Sequence, residues 1–289
     1  MGLLDNIPQP KIEVTQPIKE EIKKDSSLIS ENEILSWFNQ AEKFTSKKVC
    51  MILGDDGTGK SGLALHHIAE RLREDKEARA VVLDLDQGCM PLLSHHEDIS
   101  DRIIIKDPVT YSMYETDDEV KVDIYKLMNV IKKVAVTVSK NHKKLNIKYF
   151  VLDGLSKLLE TAESQMRIDI NKEITDGIQT MYWKKRKEHF FGVLDVIKAL
   201  PIDTFYIGHS NFIMKDSKNA AVTTQVNAMM FQRIICEKEI GSGGSVELYA
   251  TITKSKLNPL KENDKQNFMI VKDGEVKFNS KKVFESLEK

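Results

Sequence analysis

The run Gly54-Asp55-Asp56-Gly57-Thr58-Gly59-Lys60-Ser61 has the spacing G-x-x-x-x-G-K-S and follows the apolar stretch Val49-Cys50-Met51-Ile52-Leu53. Between a strand and a helix, that spacing builds a phosphate cradle. The glycines let successive N–H groups curl inward, and the helix adds its unpaired N-terminal donors and positive dipole end. The implied ligand is a nucleoside triphosphate held over Gly54, Asp55, Asp56, Gly57, Thr58, Gly59, Lys60, Ser61 and Gly62. Lys60 would reach the β- and γ-phosphates, and the Ser61 hydroxyl would sit on Mg2+.

Hydrolysis needs more than a cradle. Asp153 closes the apolar run Tyr149-Phe150-Val151-Leu152, where a carboxylate would hold Mg2+ through a coordinated water; the other reading is a cap on a helix that follows Gly154. Asp84 and Asp86 close Ala80-Val81-Val82-Leu83, where a carboxylate can orient the attacking water or simply serve a turn. Strand alternation places the two on one face with Asp86 further out, which favours Asp86 for the water. His209 ends Thr204-Phe205-Tyr206-Ile207-Gly208, as a sensor of the γ-phosphate or as a locally satisfied imidazole. Lys254 and Lys256 are one residue apart on an extended segment. They point the same way, which suits charge stabilisation across a subunit boundary or a solvated basic turn.

These residues require a parallel sheet that opens its strand ends onto one site. Short apolar runs at 49–53, 80–85, 103–105, 149–152, 204–207 and 247–253 supply strands. Leu63, Leu65, Ile68, Ala69 and Leu72 lie at helical spacing after the phosphate loop. A capping box at Ser30-Glu31-Asn32-Glu33 predicts a helix to about Lys43. Asp117-Asp118 opens a helical stripe from Val120 to Val138, and 171–199 reads as one or two helices ended by Pro201. Residues 211–228, rich in Lys, Asn and Thr, read as a loop; Lys215, Lys218, Thr223, Thr224, Gln225 and Asn227, flanked by Phe212 and Phe231, suit either a flexible surface or the tracking of a nucleic-acid backbone. Asp273-Gly274 between two apolar strands predicts a C-terminal β-hairpin.

Composition narrows the class. With 289 residues and 41% hydrophobic content, the chain can bury one large α/β core. Its 43 basic and 44 acidic residues give a net charge of −1, so any nucleic-acid surface must be local. Cys50, Cys89 and Cys236 have neither zinc-ligand spacing nor a disulfide framework, which predicts a reducing, cytoplasmic setting. No apolar run approaches the roughly 18 residues of a membrane span, so no membrane association is expected. Residues 1–28 carry three of the seven prolines and little apolar periodicity, predicting a flexible arm ahead of a domain at 29–289. Leu3, Leu4, Ile7, Ile12 and Val14 could still dock on a neighbouring subunit.

Taken together, the phosphate loop, Leu83-Asp84-Leu85-Asp86, Val151-Leu152-Asp153, Tyr206-Ile207-Gly208-His209 and Thr253-Lys254-Ser255-Lys256 resemble the RecA-like P-loop ATPase core over residues 45–278. The order and spacing look most like the short RecA/RadA-like ATPases of phages and archaeal viruses associated with single-strand annealing and recombination. The resemblance implies an α/β fold, mainly parallel and flanked by helices, and Mg2+-dependent ATP hydrolysis by a ring or filament homo-oligomer on single-stranded DNA. For a viral protein the compartment would be the host cytoplasm. Asp86 falls where the family carries a catalytic Glu, His209 where many members carry Gln, and Lys254 and Lys256 where oligomeric members supply cations to a neighbour's nucleotide. The loop after His209 matches a DNA-contacting loop. No appended DNA-binding domain of the kind larger recombinases carry is expected from the sequence, which weakens a full strand-exchange assignment; a hexameric helicase or a DNA-packaging motor is the first alternative, and the short Asp86 keeps open a slow nucleotide-dependent switch.

Overall fold

A computed structural model describes residues 47–116, 119–173, 175–210, 220–256 and 258–288. The expected arm, the expected helix from Ser30 to Lys43, and Phe212, Lys215 and Lys218 lie outside those residues.

Strand β1 (Val49–Gly54) is buried along its whole length. It needs apolar residues on both sides because it runs through the middle of a nine-stranded sheet covered on both faces. Cys50 and Ile52 pack on one face, Val49, Met51 and Leu53 on the other. The other strands are β2 (Arg79–Asp84), β3 (Ile103–Lys106), β6 (Ile147–Asp153), β7 (Asp203–His209), β8 (Gln232–Ile240), β9 (Val246–Ser255), β10 (Lys265–Lys272) and β11 (Glu275–Phe278). A short separate hairpin pairs β4 (Met113–Glu115) with β5 (Val120–Val122). The sheet order is β11-β10-β9-β8-β1-β7-β6-β2-β3. From β8 to β3 every pair is parallel; from β8 to β11 every pair is antiparallel.

Helix α1 (Lys60–Glu74) covers one face with Leu63, Leu65, Ile68 and Leu72. Helices α2 (Ile124–Leu145), α3 (Leu155–Asp169) and α4 (Trp183–Lys198) cover the other, packing Leu127, Leu158 and Leu194 into a cluster with Phe150 and Tyr206. Helix α5 (Ala220–Met229) joins that cluster through Val222 and Val226, and α6 (Ser280–Glu288) sends Phe284 to the α1 side. The expected hairpin is present as β10–β11. Asp273 (φ 51°) and Gly274 (φ 81°) both take the left-handed backbone that a two-residue turn between twisted strands requires.

Several local expectations are corrected. Residues 220–229 form α5 rather than a loop, because Val222, Val226 and Met229 make a stripe that reaches the core. The helix expected from Asp117 begins at Ile124, where Asp123 accepts a bond from the Lys126 N–H as its N-cap; Val120 belongs to β5. The helix expected from residue 171 begins at Trp183, after a polar connection. Strand β8 and helices α3 and α6 complete the layers and were not among the elements expected from the sequence. Among the described residues, no helix is long and apolar enough to cross a membrane.

Candidate functional site

The phosphate loop sits at the carboxyl end of β1. Gly59 has φ 75°, the left-handed backbone that favours glycine, and Leu248 of β9 packs directly against it. Thr58 Oγ1 and Lys60 Nζ each donate to the Asp55 carbonyl at 2.7 Å. Helix α1 starts at Lys60 with no acidic residue in its first turn and no side-chain cap, so its amide donors face the loop.

Strand β7 lies between β1 and β6, which sets the strand ends side by side: Gly54 pairs with His209, and Asp153 with Ile207. From the start of α1, the Ser61 hydroxyl crosses this interval and donates to Asp153 Oδ2 at 2.5 Å. Cys89 Sγ donates to the same oxygen at 3.0 Å. Asp84, in register with Asp153, accepts from the Gly88 and Cys89 N–H groups at 3.1 and 2.8 Å. Alternation therefore does not carry both carboxylates outward: β2 stops at Asp84, which folds into the turn, and Asp86 alone reaches the rim. Gly154 (φ 101°) makes room for that turn, since a Cβ would meet Leu85 Cβ at 2.7 Å.

His209 stands between carboxylates of two elements, with Nδ1 3.1 Å from Asp56 Oδ1 and Nε2 3.8 Å from Asp86 Oδ2. Its N–H donates to Ser156 Oγ at 3.2 Å, and the Ser210 hydroxyl donates to Asp55 Oδ1. The end of β7 is thus tied to the phosphate loop at two points.

Burial is the main cause that raises the carboxyl pKa of Asp153, opposed by the donors Ser61 and Cys89 and reinforced by Asp84 and Asp86. Burial also raises that of Asp86, opposed by His209 and reinforced by Asp84. The cluster brings the carboxylates of Asp84, Asp86 and Asp153 and the Ser61 hydroxyl close together. That donor set fits a divalent cation, with Ser61 and Asp153 as the residues to hold it.

A cavity of about 240 Å3 opens from the phosphate loop toward Leu92, His95, Met269, Val276 and Phe278. Phe278 is stacked on His66 with ring centroids 4.3 Å apart, so the hairpin presents a fixed aromatic wall beside the cradle. A nucleoside has a place to go there.

The structure brings Lys60, Ser61, Asp86, Asp153 and His209 together. It does not bring Lys254 and Lys256 to them. Lys254 pairs across the sheet with Arg233, which pairs with Met51, toward the opposite end of β1 from Gly54. Lys254 Nζ bonds the Asn227 carbonyl and Lys256 Nζ the Ala228 carbonyl, at the carboxyl end of α5. Sequence reasoning missed Cys89, Ser156, Ser210 and Phe278. For Cys89 the available signal was Gly88, which marks a turn straight after the carboxylates of β2.

No protein-family model matches the sequence, and no curated protein is detectably similar to it. Among solved structures, the chain is similar to the KaiC-like protein PH0186 from the hyperthermophilic archaeon Pyrococcus horikoshii OT3. The match has a TM-score of 0.50 and 13% identity, and it covers 80% of this chain and 89% of that one. This likeness establishes a RecA-like fold: a mostly parallel sheet flanked by helices with antiparallel strands toward the carboxyl terminus.

Proposed function

We propose that this chain is an ATPase that binds ATP over Gly54–Gly62, assembles as a ring or filament, and couples hydrolysis to work on single-stranded DNA in recombination, repair or replication. The observation that carries the reading is the 2.5 Å contact between Ser61 and Asp153 beside Lys60. A phosphate cradle and a buried carboxylate from another strand converge as phosphoryl transfer to water requires.

Gly57, Gly59 and the first turn of α1 bind the phosphates through backbone N–H groups, and Lys60 exchanges the Asp55 carbonyl for phosphate oxygens. Ser61 and Asp153 would hold Mg2+, which would supply charge neutralisation to the phosphates. Asp86 orients the attacking water and accepts its proton. His209, bonded to Asp56 and facing Asp86, registers whether a γ-phosphate is present and passes this to the segment after Ser210. Lys254 and Lys256 act on the nucleotide of a neighbouring subunit, since in their own chain they lie toward the far end of the sheet. The DNA partner rests on the resemblance of the loop after His209 to a DNA-contacting loop, and it is supported by the two contacts that tie His209 and Ser210, at the end of β7, to the phosphate loop. The short phage and archaeal-virus ATPases remain the subtype that the motif order favours, with a cytoplasmic site of action.

A slow nucleotide-dependent switch is the second reading. It is favoured by the short Asp86 side chain, whose Oδ2 stands 3.8 Å from His209.

The test is phosphate release from ATP with and without single-stranded DNA, over a range of protein concentrations. Stimulation by DNA and a specific activity that rises with concentration support a shared, DNA-coupled site. Hydrolysis indifferent to both, yet lost in Lys60→Ala, overturns the DNA-coupled reading and leaves the switch.

A further inference from the structure

Between Asp123 and Asp153 the chain carries seven lysines and no acidic residue, in a protein whose net charge is −1. Six of the seven lie on α2, where Lys126, Lys133, Lys140 and Lys144 follow one another at intervals of 7, 7 and 4 residues. On a helix those intervals close on nearly whole turns, so the four make one row of about 27 Å at roughly 1.5 Å per residue. All four are exposed. Among the described residues none of them forms an ion pair, whereas α1, α3 and α4 pair Arg71 with Glu74, Arg167 with Glu163 and Lys184 with Glu188 inside the helix. The helix dipole accounts for Lys144 in the last turn. It does not reach Lys133 and Lys140, and it opposes a cation at Lys126 in the first turn.

Beside the row lies the edge of the sheet, where β3 has a neighbouring strand on one side only among the described residues. A groove of about 440 Å3 lies there, lined by Val81, Leu83, Ile104, Tyr111, Lys133 and Val134, so the row borders it through Lys133. Tyr111 and, at the start of α2, Tyr125 are 54% and 66% exposed, which leaves ring faces free to stack on a base. A line of single charges matches a linear polyanion better than a flat one, and lysines bind phosphates without the fixed fork that reads a particular partner. Aromatic faces and an apolar trough alongside give unpaired bases a place to lie. We propose that α2 presents a surface for single-stranded nucleic acid, in which Lys126, Lys133, Lys140 and Lys144 engage the phosphates irrespective of sequence and the bases turn toward Tyr111 and the groove. The proposal rests on the DNA-coupled reading and deepens it by naming a surface other than the segment after Ser210.

The probe is fluorescent oligodeoxythymidine, titrated with the full-length chain by anisotropy over a range of salt concentrations. Wild type is compared with Lys133→Gln/Lys140→Gln/Lys144→Gln and with Lys238→Gln/Lys272→Gln/Lys277→Gln, which removes the same charge from the antiparallel end of the sheet. Circular dichroism confirms folding, and Mg2+-dependent binding of a fluorescent ATP analogue reports the nucleotide site separately. The expected result is a loss of at least about tenfold in affinity at low salt for the α2 variant. Its slope of log affinity against log salt should fall by about 2, or roughly 0.7 per lysine, while the second variant stays close to wild type. Equal losses in both variants overturn the proposal. So does competition by polyglutamate as effective as by unlabelled oligodeoxythymidine, which would make the row a dock for an acidic protein. An unchanged α2 variant overturns the surface and leaves the DNA partner standing, and no binding by wild type overturns both.

Discussion

The Ser61 hydroxyl and Asp153 Oδ2 meet at 2.5 Å although 92 residues separate them in the chain. The contact exists because β7 is inserted between β1 and β6, which sets the Asp153 carboxyl opposite the first turn of α1. Asp153 is 2% exposed, so its charge is poorly solvated until a cation answers it.

That position works against stability. Burial raises the Asp153 carboxyl pKa above its unfolded value, so the folded chain holds this proton more tightly. Between the unfolded and the raised folded pKa, its contribution to stability falls as pH rises, and it stays low at neutral pH. Asp153→Asn should therefore raise Tm near neutral pH in metal-free buffer, by about 2–4 °C for each kcal/mol relieved. The gain should vanish in acid below the ordinary carboxylate range. Calorimetry across pH checks this, and a lower Tm at neutral pH would contradict it.

If Asp86 is the base that takes the proton of the attacking water, as proposed, it must be ionised to act. Burial raises its pKa, so the acid limb of the kcat profile should lie above the ordinary carboxylate range. Asp86→Asn should lower kcat by about 10²-fold or more and remove that limb, whereas Asp86→Glu should retain it. An unchanged profile in Asp86→Asn would assign the water to another group.

His209 links Asp56 to Asp86, so its loss should affect turnover more than binding. His209→Ala is expected to lower kcat about tenfold, keep KM within a factor of about three, and abolish any stimulation by oligodeoxythymidine. Steady-state kinetics with and without the oligonucleotide separate these effects. A change in KM alone would make the imidazole a structural strut.

Lys254 and Lys256 stabilise the carbonyl end of α5, worth about 0.3–1 kcal/mol each for cations so placed. If they also serve a neighbour, Lys254→Ala should lose far more activity than stability. Mixing Lys254→Ala with Lys60→Ala should then restore turnover, because one partner supplies an intact phosphate loop and the other an intact lysine. No recovery, with assembly intact by light scattering, would confine both lysines to a structural role.

The sequence carried the phosphate loop, the parallel strands and the Asp273-Gly274 hairpin because each has a local cause: glycine spacing, unbroken apolar runs, and a turn that demands positive φ. Helix α5 was hidden because Thr223, Thr224 and Asn227 dilute a stripe carried only by Val222, Val226 and Met229. In β8 the buried positions Gln232, Ile234 and Cys236 mix polar and apolar types, and the strand then runs into Glu237-Lys238-Glu239. Cys89 and Ser210 owe their places to contacts between a turn or strand end and a distant element, which no local pattern encodes.

The central claim is that the Gly54–Ser61 loop and Asp153 form one hydrolytic site. Single-turnover release of phosphate from ATP with Mg2+, compared among wild type, Lys60→Ala and Asp153→Asn, tests it most directly. The account predicts release by wild type and a fall of at least about 10²-fold in each variant, with both variants folded by circular dichroism. Undiminished hydrolysis in either variant, or no turnover by wild type, would contradict it.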